Sequence, residues 1–241
     1  MGSFALVDVT THIGGYDWTT DMNQMTFGLE AEGLDNTTFG NGGWRSRLAG
    51  LRDINAELAG YWQAGATSVD VEAFTKMGTA NEVVTMGPTN VEGETAYLWR
   101  GEKLTYDLFG NIGEVTPFNV AMTGSHGEGA ARGAWLKKKA NVSSTGATGT
   151  AFQIPGGILA DTALHASFHV FSVGTTITAV LESDDSSSFA SATTRLTFGP
   201  ITATGGTYGR VEGAIADTWY RLRVTAATGT FNIASAIGVG V

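Results

Sequence analysis

The strongest constraint on this chain is the period-two alternation in two short stretches near its start. In residues 25–32, Met25, Phe27, Leu29 and Ala31 alternate with Thr26, Gly28, Glu30 and Glu32. In residues 55–63, Ala56, Leu58, Gly60 and Trp62 alternate with Asn55, Glu57, Ala59, Tyr61 and Gln63. A strand points successive side chains to opposite faces, so each stretch is expected to be a strand with one face on a core and the other in water. The watery faces are polar and acidic. Between the two lies the loop of residues 37–52, TTFGNGGWRSRLAGLR, which is glycine-rich, aromatic and basic. An acidic sheet face beside such a loop points to a surface that assembles with copies of itself and presents negative charge.

Composition narrows the class. The 241 residues suffice for one large or two small domains with a core able to fold unaided. Charged residues make up 15%, against a typical ~25%, as expected of a chain that hides surface in an assembly. Thirty-four Gly against 4 Pro, with many Thr and Val, favours β-structure with tight turns. The absence of Cys removes disulfides, thiolate metal sites and cysteine nucleophiles together. No stretch approaches the ~18 apolar residues of a membrane span, and the start lacks the charged region and apolar core of a signal peptide. The expectation is therefore no membrane partner and synthesis in a cytoplasm. The net charge of -9 is unevenly placed: residues 1–133 carry 17 acidic and 7 basic side chains, residues 134–241 carry 6 and 7. Such an acidic first half repels nucleic acid rather than gripping it.

Along the chain, Thr67 to Asp70 offers a helix start, Val71, Phe74 and Met77 an apolar stripe, and Gly78 a stop, which predicts one short helix packed on the sheet. Strand-like runs are expected at 82–86, 95–99, 105–109 and 118–122. Two flexible stretches, 124–133 and 141–150, mark a composition shift, and the expected boundary divides the chain into residues 1–134 and 135–241. Beyond it, runs at 164–173, 175–182, 194–198, 208–215, 219–225 and 230–238 have the spacing of a sandwich or barrel. The predicted fold class is mainly β, a β-sandwich or barrel with a short flanking helix, followed by a second all-β domain of sandwich or jelly-roll type.

Chemistry-bearing constellations are weak. His165 and His169 would stand about 13 Å apart on one face of a strand, too far for one metal ion. Glu182, Asp184 and Asp185 cluster beside serines but lack a calcium-loop ladder, so a solvated turn is expected. Lys137, Lys138 and Lys139 read as a solvated linker at the junction. In the alternation of 219–225, Trp219 and Arg221 share one face and Tyr220 the other, which places at least one aromatic in a core. The glycine clusters fit neither a dinucleotide nor a phosphate-loop pattern, and no nucleophile or zinc motif is present. No catalytic residue, cofactor or metal is assigned, and the chain is read as a non-enzyme.

Several stretches together resemble one family. VTTHIGGYD at residues 9–17, TTFGNGGWRSRLAGLRDINAELAGYWQAG at 37–65 and GEVTPFNVAMTGS at 113–125 are similar to the major tail proteins of long-tailed siphophages, the tail tube subunits. The likeness spans most of residues 1–135, and LESDDSSSFAS with ADTWYRLRVT is similar to a second β domain on some of these proteins. The resemblance implies a virion protein of the tail whose copies form rings, generally six-fold, stacked into a hollow tube that conducts genomic DNA without binding it specifically. It implies tape measure, terminator and distal tail proteins as further partners. On this reading Glu30, Glu32 and Glu57 line the lumen. Phe39, Trp44, Arg45 and Arg47 join one ring to the next. The second domain sits outside the tube. The alternative is a carbohydrate-binding or capsid-decorating β-sandwich module.

Overall fold

The computed structural model describes residues 7–240. Residues 1–6, part of the start that bears on a signal peptide, lie outside the described residues. The chain opens with β1 (Thr10–Ile13), β2 (Tyr16–Asp17), a 3-10 turn (Trp18–Thr20) and β3 (Met22–Asp35). A second 3-10 turn (Phe39–Asn41) leads to β4 (Arg47–Tyr61) and α1 (Val69–Thr75). Then come β5 (Glu82–Gly87), β6 (Thr95–Leu108), β7 (Pro117–Gly124), β8 (Ala131–Val142) and β9 (Gly146–Gln153). The remainder is β10 (Ala163–Ser172), β11 (Thr176–Asp184), β12 (Thr193–Ile201), β13 (Gly205–Glu212), β14 (Trp219–Thr228) and β15 (Phe231–Gly240). The mainly-β class holds, with α1 as the α-helix among the described residues.

Every strand pairing is antiparallel, and the strands form two sheets. The larger is ordered β13-β10-β15-β8-β6-β5-β1-β2, with β7, β4 and β3 branching from the second half of β6. The smaller is β12-β11-β14-β9. Length makes β6 the pivot. Its first residues pair with β8, its middle with β5 and its last with β7, so the large sheet must bend around it.

Two apolar cores result. The first lies inside the bend and joins Ile13, Trp18, Ala56, Leu58, Val84, Trp99, Phe118 and Val120. The second lies between the small sheet and the β10–β15 region, with Leu164, Phe168, Leu181, Phe198, Leu222 and Ile233. Phe168 and Phe198 stack across it at 5.3 Å. This is sheet-on-sheet packing from the inward side chains of alternating strands.

The expected boundary between residues 134 and 135 falls inside β8, which pairs with β6 on one side and β15 on the other. The large sheet therefore runs from one half of the chain into the other. The halves also meet face to face, because β10 is buried on both sides. Leu164, Ala166, Phe168 and Val170 enter the second core, while His165, Ser167 and His169 turn toward the first half. Thr85 Oγ1 lies 2.7 Å from Ser167 Oγ and 2.8 Å from His169 Nε2, and His169 Nδ1 lies 2.8 Å from the Gly14 carbonyl. Gly15 meets Gly205 so closely that a Cβ at Gly15 would stand 2.5 Å from the Gly205 nitrogen, which is why this crossing is built from glycine.

Three local expectations are corrected. The runs expected at 95–99 and 105–109 merge into one strand that ends at Leu108, because Lys103 is buried against Glu82 and lies 5.7 Å from the Trp18 ring, so the charged middle of β6 does not break it. In α1, Val69 and Ala73 face inward, while Val71, Phe74 and Met77, the expected packing stripe, are exposed. Tyr106 fixes that orientation by donating to Asp70 at 2.8 Å; burial, then this bond, raises its phenol pKa. Lys137, Lys138 and Lys139 lie within a strand rather than a linker, with Lys137 on Glu92 and Lys139 on Asp17.

Candidate assembly surface

The two alternating stretches become β3 and β4, paired over their whole length, and β4 continues to β7 and β7 to β6. Leu58, Ala56 and Ile54 point to the first core together with Phe118, Val120 and Met122. The other face of this four-stranded sheet is solvent-exposed. Glu57 stands opposite Thr26 and Ala121, Asn55 opposite Gly28 and Thr123, and Glu30 opposite Asp53. Asp107 joins the same face opposite Asn119. Two carboxylates directly opposed across a ladder destabilise a sheet. Glu30 and Asp53 are so placed with no cation paired to either among the described residues.

Glu32 lies beyond Glu30 on the same side. A bulge sits between the Ala31–Arg52 and Gly33–Ala49 pairs, and the extra residue belongs to β4. The alternation of β3 is therefore unbroken, and the three carboxylates Glu30, Glu32 and Glu57 share one face with Asp53 and Asp107. Asp53 was within reach of sequence reading, being in phase with Asn55 and Glu57. Asp107 was not, since only topology brings β6 to this face.

β7 pairs with β4 no farther than Asn55, so β3 and β4 continue alone as a two-stranded arm. Its tip is ordered by local bonds. The Asn36 and Ser46 main chains bond at 3.1 Å, Ser46 N donates to Thr37 Oγ1, and Thr37 N donates to Asp35 at 2.8 Å; the Thr37 side chain first, and then this amide, lower the Asp35 pKa. Gly42 and Gly43 close the turn at φ of 61° and 83°, a conformation side chains disfavour. Around this frame Leu29, Leu34, Phe39, Trp44, Leu48 and Leu51 are exposed, Trp44 at 81% and Leu51 at 83%. Arg45 and Arg47 are exposed at the tip, and neither makes an ion pair among the described residues. An isolated two-stranded ribbon is marginally stable in water. This one carries six large apolar side chains that stay exposed among the described residues.

Where the arm leaves the body, a cleft of about 700 Å³ opens between it and the loop of residues 124–130. Leu29, Ala31, Leu51, Arg52, Ile54 and His126 are among its walls.

The remaining candidates are structural. His165 and His169 are buried, bonded to Tyr208 and to Thr85 respectively. Burial lowers the pKa of each to about 4, and burial with the neighbouring His169 lowers that of His12 to about 3. Glu182 pairs with Arg221 and Arg223, and Asp184 accepts from the Ser186 and Ser191 amides. Among the described residues no group of three or more His, Asp or Glu is placed to hold a metal ion. Tyr220 is the core aromatic of its strand.

No protein-family model and no curated protein matches the chain. Solved structures do. A chain of the virion of a native gene transfer agent particle is similar at 17% identity and a TM-score of 0.41, over 49% of this chain and 92% of that one. A chain from the tail of an empty gene transfer agent particle, refined with C6 symmetry, is similar at 19% identity and a TM-score of 0.37, over 44% and 78%. The SPP1 Dit protein, a hub adsorption apparatus of phages infecting Gram-positive hosts, is similar at 12% identity and a TM-score of 0.36, over 95% of this chain and 98% of that one. These three chains are components of a gene transfer agent virion, a gene transfer agent tail and a phage adsorption apparatus.

Proposed function

We propose that this chain is a structural tail protein, a tube subunit whose copies close into rings and stack into a channel for genomic DNA. The observation that carries the reading is the four-stranded sheet β3-β4-β7-β6. It is acidic on one face, apolar on the other and unpaired at both edges. β3 has β4 on one side only, and residues 104–108 of β6 have β7 on one side and no second strand among the described residues. Exposed edges of that length are a liability that native proteins cover. Successive antiparallel pairing makes β3 run opposite to β6. The β3 of a rotated copy therefore meets β6 in antiparallel sense, and a ring of copies closes as a barrel without any change of strand direction.

Four strands per copy in six copies make about 24 strands. At ~4.8 Å per strand and a tilt of ~40°, such a barrel is roughly 48 Å across between backbones, roomy enough for a B-form duplex after side chains are placed. In that barrel the apolar face packs outward onto the first core, and Glu30, Glu32, Asp53, Glu57 and Asp107 line the lumen. A wall of carboxylates repels phosphate and leaves passing DNA free to slide. The arm, with Phe39, Trp44, Arg45 and Arg47, extends along the axis to the neighbouring ring. The β9–β15 part of the chain lies outside.

The test is sedimentation of the purified protein against a variant lacking residues 40–47. The full chain is expected to sediment as rings or longer polymers, and the shortened chain as a folded protein that does not extend tubes. Tubes of normal length from the shortened chain would remove the arm from the inter-ring role.

A further inference from the structure

In a ring, the β3 edge of one copy could meet the β6 edge of the next in several registers, and the structure narrows them. Met77 bridges Lys103 in parallel sense, and the Gly78 amide donates to the Lys103 carbonyl at 3.0 Å, so the segment after α1 fills the β6 edge there. Residues 105–108 are left for an incoming strand. Thr105 and Asp107 stand opposite Ala121 and Asn119 on the acidic face, while Tyr106 and Leu108 pack toward the first core. On β3, Thr26, Gly28 and Glu30 share the acidic face. Since a slip of one residue turns a strand over, one of these even-numbered residues, or Glu32, must meet Thr105.

Barrel closure selects among them. Within one copy, Thr26, Glu57, Ala121 and Thr105 lie level across the four strands. Tilted strands cannot keep that level from copy to copy, because tilt and stagger are linked. Over four strands at ~4.8 Å, a tilt of ~35–45° corresponds to a stagger of about 4.0–5.6 residues at ~3.4 Å each, and four is the even number in that range. The direction follows from chirality. The Tyr61 amide donates to the Asp21 carbonyl, and the Tyr61 side chain shares the face of Glu57. For L-residues this puts β3 to the left of β4, seen from outside the barrel with β4 pointing up and the arm down. Adjacent strands rotate by about −20 to −25°, which tilts them right-handedly around the barrel. Following the hydrogen bonds rightward into the next copy therefore descends toward its arm. The residue that meets Thr105 is four past Thr26.

We infer that Glu30 of one copy pairs with Thr105 of the next, Leu29 with Tyr106, Gly28 with Asp107 and Phe27 with Leu108. This rests on the ring reading above and adds the register of its contact. A stagger of six would set Glu30 against Asp107, two carboxylates opposed across a ladder. A stagger of four gives Asp107 a glycine instead. Leu29, 60% exposed in the single copy, gains the Tyr106 ring. Tyr106 also holds α1 through Asp70, so the exposed Val71 and Phe74 of that helix lie on the same side of the sheet as Leu29. Beyond these pairs Met77 and Gly78 close the β6 edge, and β3 continues instead into the arm.

The chain lacks Cys, so the register can be tested with introduced pairs. Alternation from the Tyr61 amide makes Glu30–Thr105 a non-hydrogen-bonded pair, with Cα atoms about 4.5 Å apart, within reach of a disulfide. A register two residues away separates them by about 8 Å, too far to bridge. Inside one copy the two sites are more than about 14 Å apart across β4 and β7, so a bond must join copies. Glu30→Cys with Thr105→Cys, oxidised after assembly, is expected to give a ladder of covalent species on a denaturing gel that stops at the number of copies in the ring. Glu32→Cys with Thr105→Cys, and Thr26→Cys with Thr105→Cys, should give dimers at most. As a second measurement, Leu29→Glu is expected to keep the denaturant midpoint of the dilute chain and to raise at least tenfold the concentration at which rings form. Rings in the micrograph with a ladder from either comparison pair, or with none from Glu30→Cys and Thr105→Cys, overturn this register and leave the ring reading standing. Rings from Leu29→Glu at the natural concentration overturn it too. A protein that stays monomeric at every concentration overturns both.

Discussion

Acid should loosen the seam between the two halves in a calculable way. His12, His165 and His169 are buried where the halves meet, and burial holds their pKa values at about 3, 4 and 4. Each titrates at an ordinary 6.5 once unfolded. A folded pKa below the unfolded one means that the unfolded chain binds more protons, so stability rises with pH and is lost as pH falls from about 6.5 toward about 4. For His169, linkage between these values gives a loss of about 1 kcal/mol on going from pH 7.5 to 5.5. His12 and His169 are neighbours that do not titrate independently, and the three histidines together come to a few kcal/mol, a large share of the ~5–15 kcal/mol by which domains are stable. Asp17 with Lys139 faces His12 and His169, and Glu128, Arg210, Glu212 and Arg100 face His165. The assay is denaturant unfolding of dilute, unassembled protein at the two pH values, for the natural chain and for His169→Gln. The variant should lose about a third of the pH dependence whatever its absolute stability. Equal stability of the natural chain at pH 7.5 and 5.5 would refute the buried neutral seam.

Two further outcomes follow from the sheet. A fragment beginning at residue 135 starts inside β8 and lacks residues 132–134, which pair with β15; it is expected to be less stable than a fragment beginning at 130, read as a lower denaturant midpoint. Equal midpoints would mean that the second core needs none of the seam. Changing Glu30, Glu32 and Glu57 together to Lys should leave the fold and the tubes intact, because these side chains face water, while slowing DNA ejection most at low salt. Normal ejection at low salt from well-formed tubes would remove the lumen role.

How much of this was legible depended on where the signal lay. The β3 and β4 alternation was readable because one face is buried at Ile54, Ala56 and Leu58 and half-buried at Met25 and Phe27 while the other is wet; Leu29 and Ala31, expected on the core, are exposed where the arm leaves the body. β8 was hidden: its alanines, glycine and lysines give no period, since it takes its structure from strands on both sides rather than from its own pattern. For α1 the apolar spacing points Val71, Phe74 and Met77 inward, whereas the bond from Tyr106 to Asp70 and the small Ala73 set the true face.

The central claim, that copies of this chain close through the free edges of the β3-β4-β7-β6 sheet, is tested most directly by negative-stain electron microscopy of the purified protein over a range of concentrations. The account predicts rings with a central channel that lengthen into tubes as concentration rises. A field of isolated single particles at every concentration, with the chain folded, would contradict it.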